Sequence, residues 1–534
     1  MRIRVNRLMT PSDPVATTDS APPAAPPAQA PAPGVLNPGV NCWRLAEAGR
    51  AAVIVDAADY FAAAKKAMLR ARHQILVIGW DFDHRIKLEP RRTRLRRVPN
   101  QLGRFLTRCV ARKQGLRVHV LKWRLGMLAA LLRGMTPLFI LNWLAAKRLS
   151  YRLAADHPLG ASHHQKLIVI DDALAFCGGI DMTADRWDTR EHKDRDPRRR
   201  RPSGLRYRPY HDAAMMVDGA AARALGELAR ARWLSATGER LAAPPGGSDP
   251  WPPCQEAQFH QLPIAISRTF PAYGSQQQVR EVEQLHLDMI RSARRTLYIE
   301  AQYFAARRLA KALAKRLAEP DPPEIVLINP ADSHGWLEEQ AMGTARRLLL
   351  STLLAADHAG RLRVYSPVTA GGTMIYVHAK VMVVDDRVLR LGSSNLNNRS
   401  MGLDTECDLA LEAVPGHADE AAVRQGILDV RDGLVAEHLG VAVETLRRTL
   451  AESGSLIAAI ETLRQRPGRT LQPASIALPT PAEAFIVENE LLDPEHPNSL
   501  FARLFGRIDW RWRRRLQAKI EERRERFLQS AARR

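Results

Sequence analysis

A chain of 534 residues has room for two or more domains, and its 46% hydrophobic content is ordinary for a globular protein with a sizeable core, which sets aside a wholly disordered chain. Lys and Arg outnumber Asp and Glu by 79 − 57 = 22, an excess that favours anionic partners such as lipid headgroups or nucleic acid without choosing between them. Five scattered cysteines (Cys42, Cys109, Cys177, Cys254, Cys407) form no CxxC or Cys/His cluster, so neither a cysteine-built zinc site nor a disulfide framework is expected, and a reduced cytosolic compartment suits them.

The first residues are basic but lack an apolar run, so no secretory signal is expected. Residues 12–38 are rich in Pro and Ala, a composition that cannot bury a core; residues 1–40 are read as a disordered tail. A first lobe is assigned to 41–243. It opens with a helix around Tyr60 to Leu69, followed by the apolar strand Ile75 to Trp80 and a second strand from Arg117 to Leu121. The apolar stretch 125–146 is long enough to span a bilayer, but Arg133 and Pro137 interrupt it. It also lies between parts of one lobe, so core or surface-lying helices are expected. Residues 244–256 carry the Gly/Pro content of a linker. A second lobe, 257–466, repeats the order: a helix from Val282 to Ile290, then strands Leu297 to Glu300 and Ile325 to Ile328. Residues 467–534 form a basic extension. Leu504, Ile508, Trp512, Leu516 and Ile520 make an apolar helical stripe there, suited either to an anionic membrane surface or to docking on the lobe.

One chemical phrase occurs in both lobes. His164, Lys166 and Asp171 stand at i, i+2 and i+7, with Gly178, Gly179 and Asp181 following. His378, Lys380 and Asp385 repeat the spacing, with Gly392, Ser393, Ser394 and Asn395 after them. Residues i and i+2 of an extended strand share a face, so each His projects beside its Lys. The apolar run after each lysine is the strand body, ended by the Asp at a turn. Two such strands brought together present two imidazoles and two ammonium groups, a pocket for a tetrahedral oxyanion. One histidine can attack phosphorus while the other protonates the leaving alkoxide and then activates water or an alcohol. The lysines and the Asn395 amide stabilise charge on the non-bridging oxygens, so no metal or cofactor is needed for the step. Asp171 and Asp385 are expected to fix local structure, and His163, of opposite strand parity, to pack at the rim.

The doubled HxKxxxxD motif with GSSN after the second copy resembles the phospholipase D superfamily, and the resemblance extends over residues 53–440. The stretches 75–83 (ILVIGWDFD), 162–188, 209–212 (PYHD), 300–304 (EAQYF) and 376–406 are similar to its lipid-cleaving branch. The resemblance implies an α/β fold of two similar lobes, each a mixed β-sheet flanked by helices, with one active site at their interface. It further implies a phosphohistidine intermediate with His164 as nucleophile and His378 as general acid/base, the swapped assignment being the rival. Glu406 matches the family's acidic residue and is taken as the carboxylate that orients His378; Asp188 is chosen for His164, against a reading as a surface cap. Ser393 supports the second copy, and His211, Gln302 and Tyr303 are candidate substrate contacts, although Ala301 stands where the family commonly has asparagine. The expected activity is hydrolysis of glycerophospholipids to phosphatidic acid, with transfer to an alcohol as a variant. Cardiolipin synthase-like transfer or a nuclease are the alternatives. The expected partners are phospholipid and a membrane surface rather than nucleic acid, for a monomeric, cytoplasmic, peripherally associated protein.

Overall fold

The computed structural model of the protein describes residues 34–90, 98–124, 148–158, 160–331, 343–474 and 493. The apolar stretch 125–146, the tail before residue 34 and the C-terminal stripe therefore lie outside the described residues.

The first half contributes β1 (Arg44–Val55), β2 (Gln74–Gly79), β3 (Arg117–Trp123), β4 (Leu149–Ala154), β5 (Leu167–Ile170), β6 (Leu174–Gly178), β7 (Tyr210–His211) and β8 (Ala213–Asp218). The second half contributes β9 (Phe259–Phe270), β10 (Val279–Arg280), β11 (Thr296–Glu300), β12 (Glu324–Ile328), β13 (Leu362–Val368), β14 (Tyr376–Val377), β15 (Val381–Val384), β16 (Val388–Gly392), β17 (Glu406–Glu412) and β18 (Thr470–Pro473). From the centre outward the first half runs β1-β8-β6-β5-β2-β3-β4 and the second β9-β17-β16-β15-β11-β12-β13-β18. The seven strands of the first order correspond one for one to the first seven of the second, as a tandem duplication requires, and β18 adds an edge strand to the second half.

The sequence pattern predicts a separate mixed sheet in each lobe. The structure instead joins them into one 16-stranded sheet, because β1 pairs antiparallel with β9 over the register Arg44↔Ile266 to Ala51↔Phe259. The reason is geometric: β1 and β9 are 12 residues each, longer than the strands beside them, and would otherwise leave an unpaired edge at the centre. The second half also runs past the expected boundary at 466, since β18 pairs with β13.

Helices cover both faces, which is why the motif strands are continuous apolar runs. Leu167 and Val169 join a core shared by both halves with the helices Gly219–Thr237 and Glu420–Leu439; Ile168 and Ile170 face the helices Ala57–Arg70 and Leu102–Arg112. In the second copy Val381 and Val383 enter the shared core, while Met382 and Val384 pack with the helices Glu281–Ser292 and Arg307–Leu317. Each motif Asp ends its strand in a left-handed turn, φ 53° for both Asp171 and Asp385. Asp171 accepts from the amides of Arg72 (2.7 Å), His73 (2.8 Å) and Gln74 (2.7 Å). Asp385 does the same for Arg294 (3.0 Å), Arg295 (2.8 Å) and Thr296 (2.8 Å). Both tie the end of a motif strand to the start of its antiparallel neighbour, β2 or β11.

Candidate active site

The residues leading into each motif leave their own half and pair with the other. The His164 amide donates to Thr405 O (3.0 Å), and the His378 amide donates to His211 O (2.8 Å) beside the parallel β7–β14 pair. This crossing decides which carboxylate each imidazole meets. His164 Nδ1 lies 3.0 Å from both oxygens of Glu406, and His378 Nδ1 lies 2.7 Å from Asp212 Oδ2. An ionised carboxylate only accepts, so Nδ1 carries the proton in each dyad and Nε2 is left for chemistry. Both imidazoles line one cleft of about 350 Å³, together with Trp80, Trp123, Arg186, Tyr210, Gln302, Tyr303, Tyr376 and Asn395.

The carboxylate assignments read from the sequence are thus corrected. Glu406 orients His164, not His378, and it also accepts from Ser393 Oγ (2.5 Å) and Ser400 Oγ (2.7 Å). Asp188 does not reach His164. It is fully buried, with Oδ2 3.0 Å from His192 Nδ1 and Oδ1 accepting from Arg199 Nη1 (2.9 Å). Strand register explains the exchange. Gly178 stands opposite Ala214 and Gly392 opposite Asp408, so Asp212 and Glu406 occupy the same place, two residues before the partner of the corresponding glycine in each half. At the next position a Cβ on Gly179 would sit 2.0 Å from Asp212 Oδ1, so only glycine leaves room for that carboxylate. The second copy has Ser393 there, hydrogen-bonded to the longer Glu406.

Lys166 Nζ donates to His164 O (2.8 Å) and lies 3.5 Å from Asp181 Oδ2. Lys380 Nζ donates to His378 O and to Gln302 Oε1 (3.1 Å), and Gln302 Nε2 in turn donates to the hydroxyls of Tyr303 (2.7 Å) and Tyr376 (2.9 Å). Burial first, then the positive charges of Lys166 and Arg186, outweigh the pull of Asp212 and Glu406 and bring the Lys380 ammonium down to about 7. Burial likewise pushes His378 well below the usual histidine range, helped by Lys380, and raises the Asp212 carboxyl to about 6 against the pull of Lys380. One proton held between His378 Nδ1 and Asp212 Oδ2 satisfies both tendencies, so the dyad titrates as a unit.

Asn395 lines the cleft, with Oδ1 buried and without a hydrogen-bond partner among the described residues. Its counterpart Asp181 accepts from the Trp80 amide (3.1 Å). Arg186, which the motif spacing does not single out, reaches the cleft with its guanidinium 4.9 Å from the Tyr210 ring. It is the residue five after Asp181, as Ser400 is five after Asn395, a correspondence visible once the two copies are aligned. Of the expected substrate contacts, Gln302 and Tyr303 line the cleft and His211 does not. His211 is fully buried, its ring held between Glu437 (Nδ1 to Oε1, 3.1 Å) and Glu300 (Nε2 to Oε2, 2.9 Å). His163 is buried against Asp156 (Nε2 to Oδ1, 3.0 Å), away from the cleft lining. The basic run Arg198 to Arg201 is largely absorbed within the protein: Arg198 pairs with Asp196, Arg199 with Asp188 and Arg201 with Asp185. Among the described residues no helix is long and apolar enough to cross a membrane.

A family model described as Phospholipase D matches residues 361–471. Phospholipase D A of Dictyostelium discoideum is 22% identical over 431 residues, covering 67% of this chain and 32% of the relative. Cardiolipin synthase A of Escherichia fergusonii is 27% identical over 279 residues, covering 52% of this chain and 50% of the relative. The chain therefore spans a third to a half of the length of these relatives. A crystal structure of phosphatidylserine synthase from Haemophilus influenzae aligns at a TM-score of 0.46 and 14% identity, over 73% of this chain and 89% of that one.

Proposed function

We propose that the chain is a member of the phospholipase D superfamily and that it cleaves the headgroup ester of glycerophospholipids, giving phosphatidic acid and free headgroup, a reading supported by the family-model match and the named relatives. The observation that carries this reading is the pair of imidazoles facing one cleft, each fixed at Nδ1 by a buried carboxylate from the opposite half.

In the first step His164 Nε2 attacks phosphorus and the bond to the headgroup oxygen breaks. That oxygen takes the Nε2 proton of His378, a proton the ring gains as the bound phosphodiester anion offsets the burial and cations that keep the free ring neutral, and Glu406 stabilises the positive charge that develops on the His164 ring. In the second step His378 draws a proton from water, the water oxygen attacks the phosphohistidine, and the P–N bond breaks to release phosphatidic acid. Lys166, Lys380 and the Asn395 amide hold the non-bridging oxygens in both steps, and Arg186 adds a further fixed positive charge at the cleft. The aromatic walls from Trp80, Trp123, Tyr303 and Tyr376 suit the glycerol backbone and the first acyl carbons of a lipid.

The names of the cardiolipin synthase relatives favour a second outcome of the same chemistry, in which an alcohol replaces water in the second step. The deciding experiment incubates purified protein with labelled phosphatidylcholine, phosphatidylethanolamine and phosphatidylglycerol, with and without a primary alcohol. Phosphatidic acid supports hydrolysis and phosphatidyl-alcohol supports transfer. Neither product, alongside cleavage of DNA, refutes the lipid reading.

A further inference from the structure

Next to Asp212 lies a group of side chains that the phosphoryl chemistry does not use. Asp56 follows β1, His192 sits in the loop before β7, His211 is in β7, and Glu437 is on the helix Glu420–Leu439; all four are buried, the most exposed at 5%. Their polar atoms converge on one point. His192 Nε2 lies 3.4 Å from Asp56 Oδ2 and 3.2 Å from Glu437 Oε1. His211 Nδ1 lies 3.3 Å from Asp56 Oδ1 and 3.1 Å from the same Glu437 oxygen. One ligand atom from each residue can be chosen with all four within 4.8 Å of one another.

These separations are those of a coordination shell. A tetrahedral ion with ligands at roughly 2.0–2.1 Å has ligand–ligand edges of about 3.3 Å. The far nitrogen of each imidazole is already engaged as metal-bound histidines require: His192 Nδ1 faces Asp188 Oδ2 at 3.0 Å, and His211 Nε2 faces Glu300 Oε2 at 2.9 Å. A second observation points the same way. Asp56 is 1% exposed, yet among the described residues its Oδ2 has no hydrogen-bond partner, with His192 Nε2 of the cluster 3.4 Å away. A buried carboxylate oxygen without a donor is costly, and a cation at the centre of the four residues would satisfy it. Two imidazoles with two carboxylates match zinc better than calcium or magnesium, which take oxygen shells.

We propose that Asp56, His192, His211 and Glu437 form a buried structural site for a divalent cation of zinc's size and ligand preference. The cation would clamp the end of β1, the loop before β7 and the helix Glu420–Leu439 at one point. It would also steady the catalytic half-site: Asp56 N donates to Asp212 O (2.7 Å), and Asp212 N donates to Asp56 Oδ1 (3.2 Å). The site is separate from the phosphoryl-transfer chemistry, which has its own fixed cations.

The test uses the full chain, purified without a histidine tag. Elemental analysis should return about one zinc per chain, and the Asp56→Asn and His192→Gln variants should each retain less than about a fifth of it. Chelation of the wild type should lower its melting temperature, and re-addition of zinc should restore it. To keep the test independent of how the variants fold, the wild type is also stripped and reloaded with cobalt, where the strong visible absorption of a four-coordinate site is expected. A wild type that holds no metal and shows neither a thermal shift with zinc nor a four-coordinate cobalt spectrum overturns the proposal, leaving a cluster held together by protons. Folded variants that keep a full equivalent of zinc overturn it as well.

Discussion

Replacing Glu406 by Gln tests the crossed wiring of the two halves most directly. Glu406 is fully buried and receives three donors: the His164 ring and the hydroxyls of Ser393 and Ser400. Glutamine keeps the shape but loses the charge and turns one acceptor into a donor, so His164 can be left in the wrong tautomer. At 3.0 Å and an effective dielectric near 20, the attraction between an imidazolium and this carboxylate is about 5 kcal/mol, whereas a single charge-assisted hydrogen bond is worth about 1.5–3 kcal/mol net. Those bounds translate into a loss of roughly 10- to 10⁴-fold in the step that charges His164. Rapid-quench measurement with labelled phosphatidylcholine separates phosphoenzyme formation from its hydrolysis. The expected result is slow formation with the second step less affected, and a partial recovery in Ser393-intact Glu406→Asp. A normal formation rate with slow breakdown would mean that Glu406 serves His378, and a rate within threefold of wild type at both steps would refute the dyad.

Asp171→Ala removes the acceptor of three backbone amides and should cost about 3 kcal/mol in denaturant unfolding, with Asp385→Ala costing a similar amount in the equivalent place. Equal stability to wild type would show that water replaces the carboxylates. Gly179→Ala sets a methyl 2.0 Å from Asp212 Oδ1; lipid turnover should fall at least about tenfold while the protein stays folded by circular dichroism, since the side chain rather than the backbone must give way. Lys380, brought down from 10.5 to about 7, is charged below and neutral above that pH in the free enzyme. The profile of kcat/KM should therefore fall as pH rises through about 7, and Lys380→Arg, which stays charged, should lose that limb; a flat wild-type profile from pH 6 to 9 contradicts this. The unfolded chain holds this proton up to 10.5, so the same lysine should make the fold more stable as pH climbs from about 7 toward 10.5.

Much of this arrangement is legible in the sequence because it is local. The spacing of His164 to Asp171 and of His378 to Asp385 is a strand followed by a turn, and local periodicity reports that well. The helix near Tyr60, the strand from Ile75 and their counterparts at Val282 and Leu297 are of the same kind. What escapes a linear reading is long-range. Asp188 is closer in sequence to His164 than Glu406 is, yet the crossing of the motif lead-ins carries His164 to Glu406, 242 residues away. The fusion of two sheets through β1 and β9 is likewise a pairing between distant strands whose own apolar pattern does not name a partner. Arg198 to Arg201 look like a surface patch by composition, and only folding reveals the carboxylates that absorb them. A buried His/Asp/Glu cluster drawn from positions 56, 192, 211 and 437 has no sequence spacing to announce it.

The crossed dyads also bear on how such a chain can change over evolutionary time. A half of this protein on its own would hold a histidine without its carboxylate and a carboxylate without its histidine, so it could react only as one member of a pair. Joining the two copies in one chain lifts the demand that they remain identical. Each position can then drift on its own, as Gly179 beside Asp212 and Ser393 beside Glu406 already have, and the two imidazoles are free to specialise as nucleophile and proton carrier.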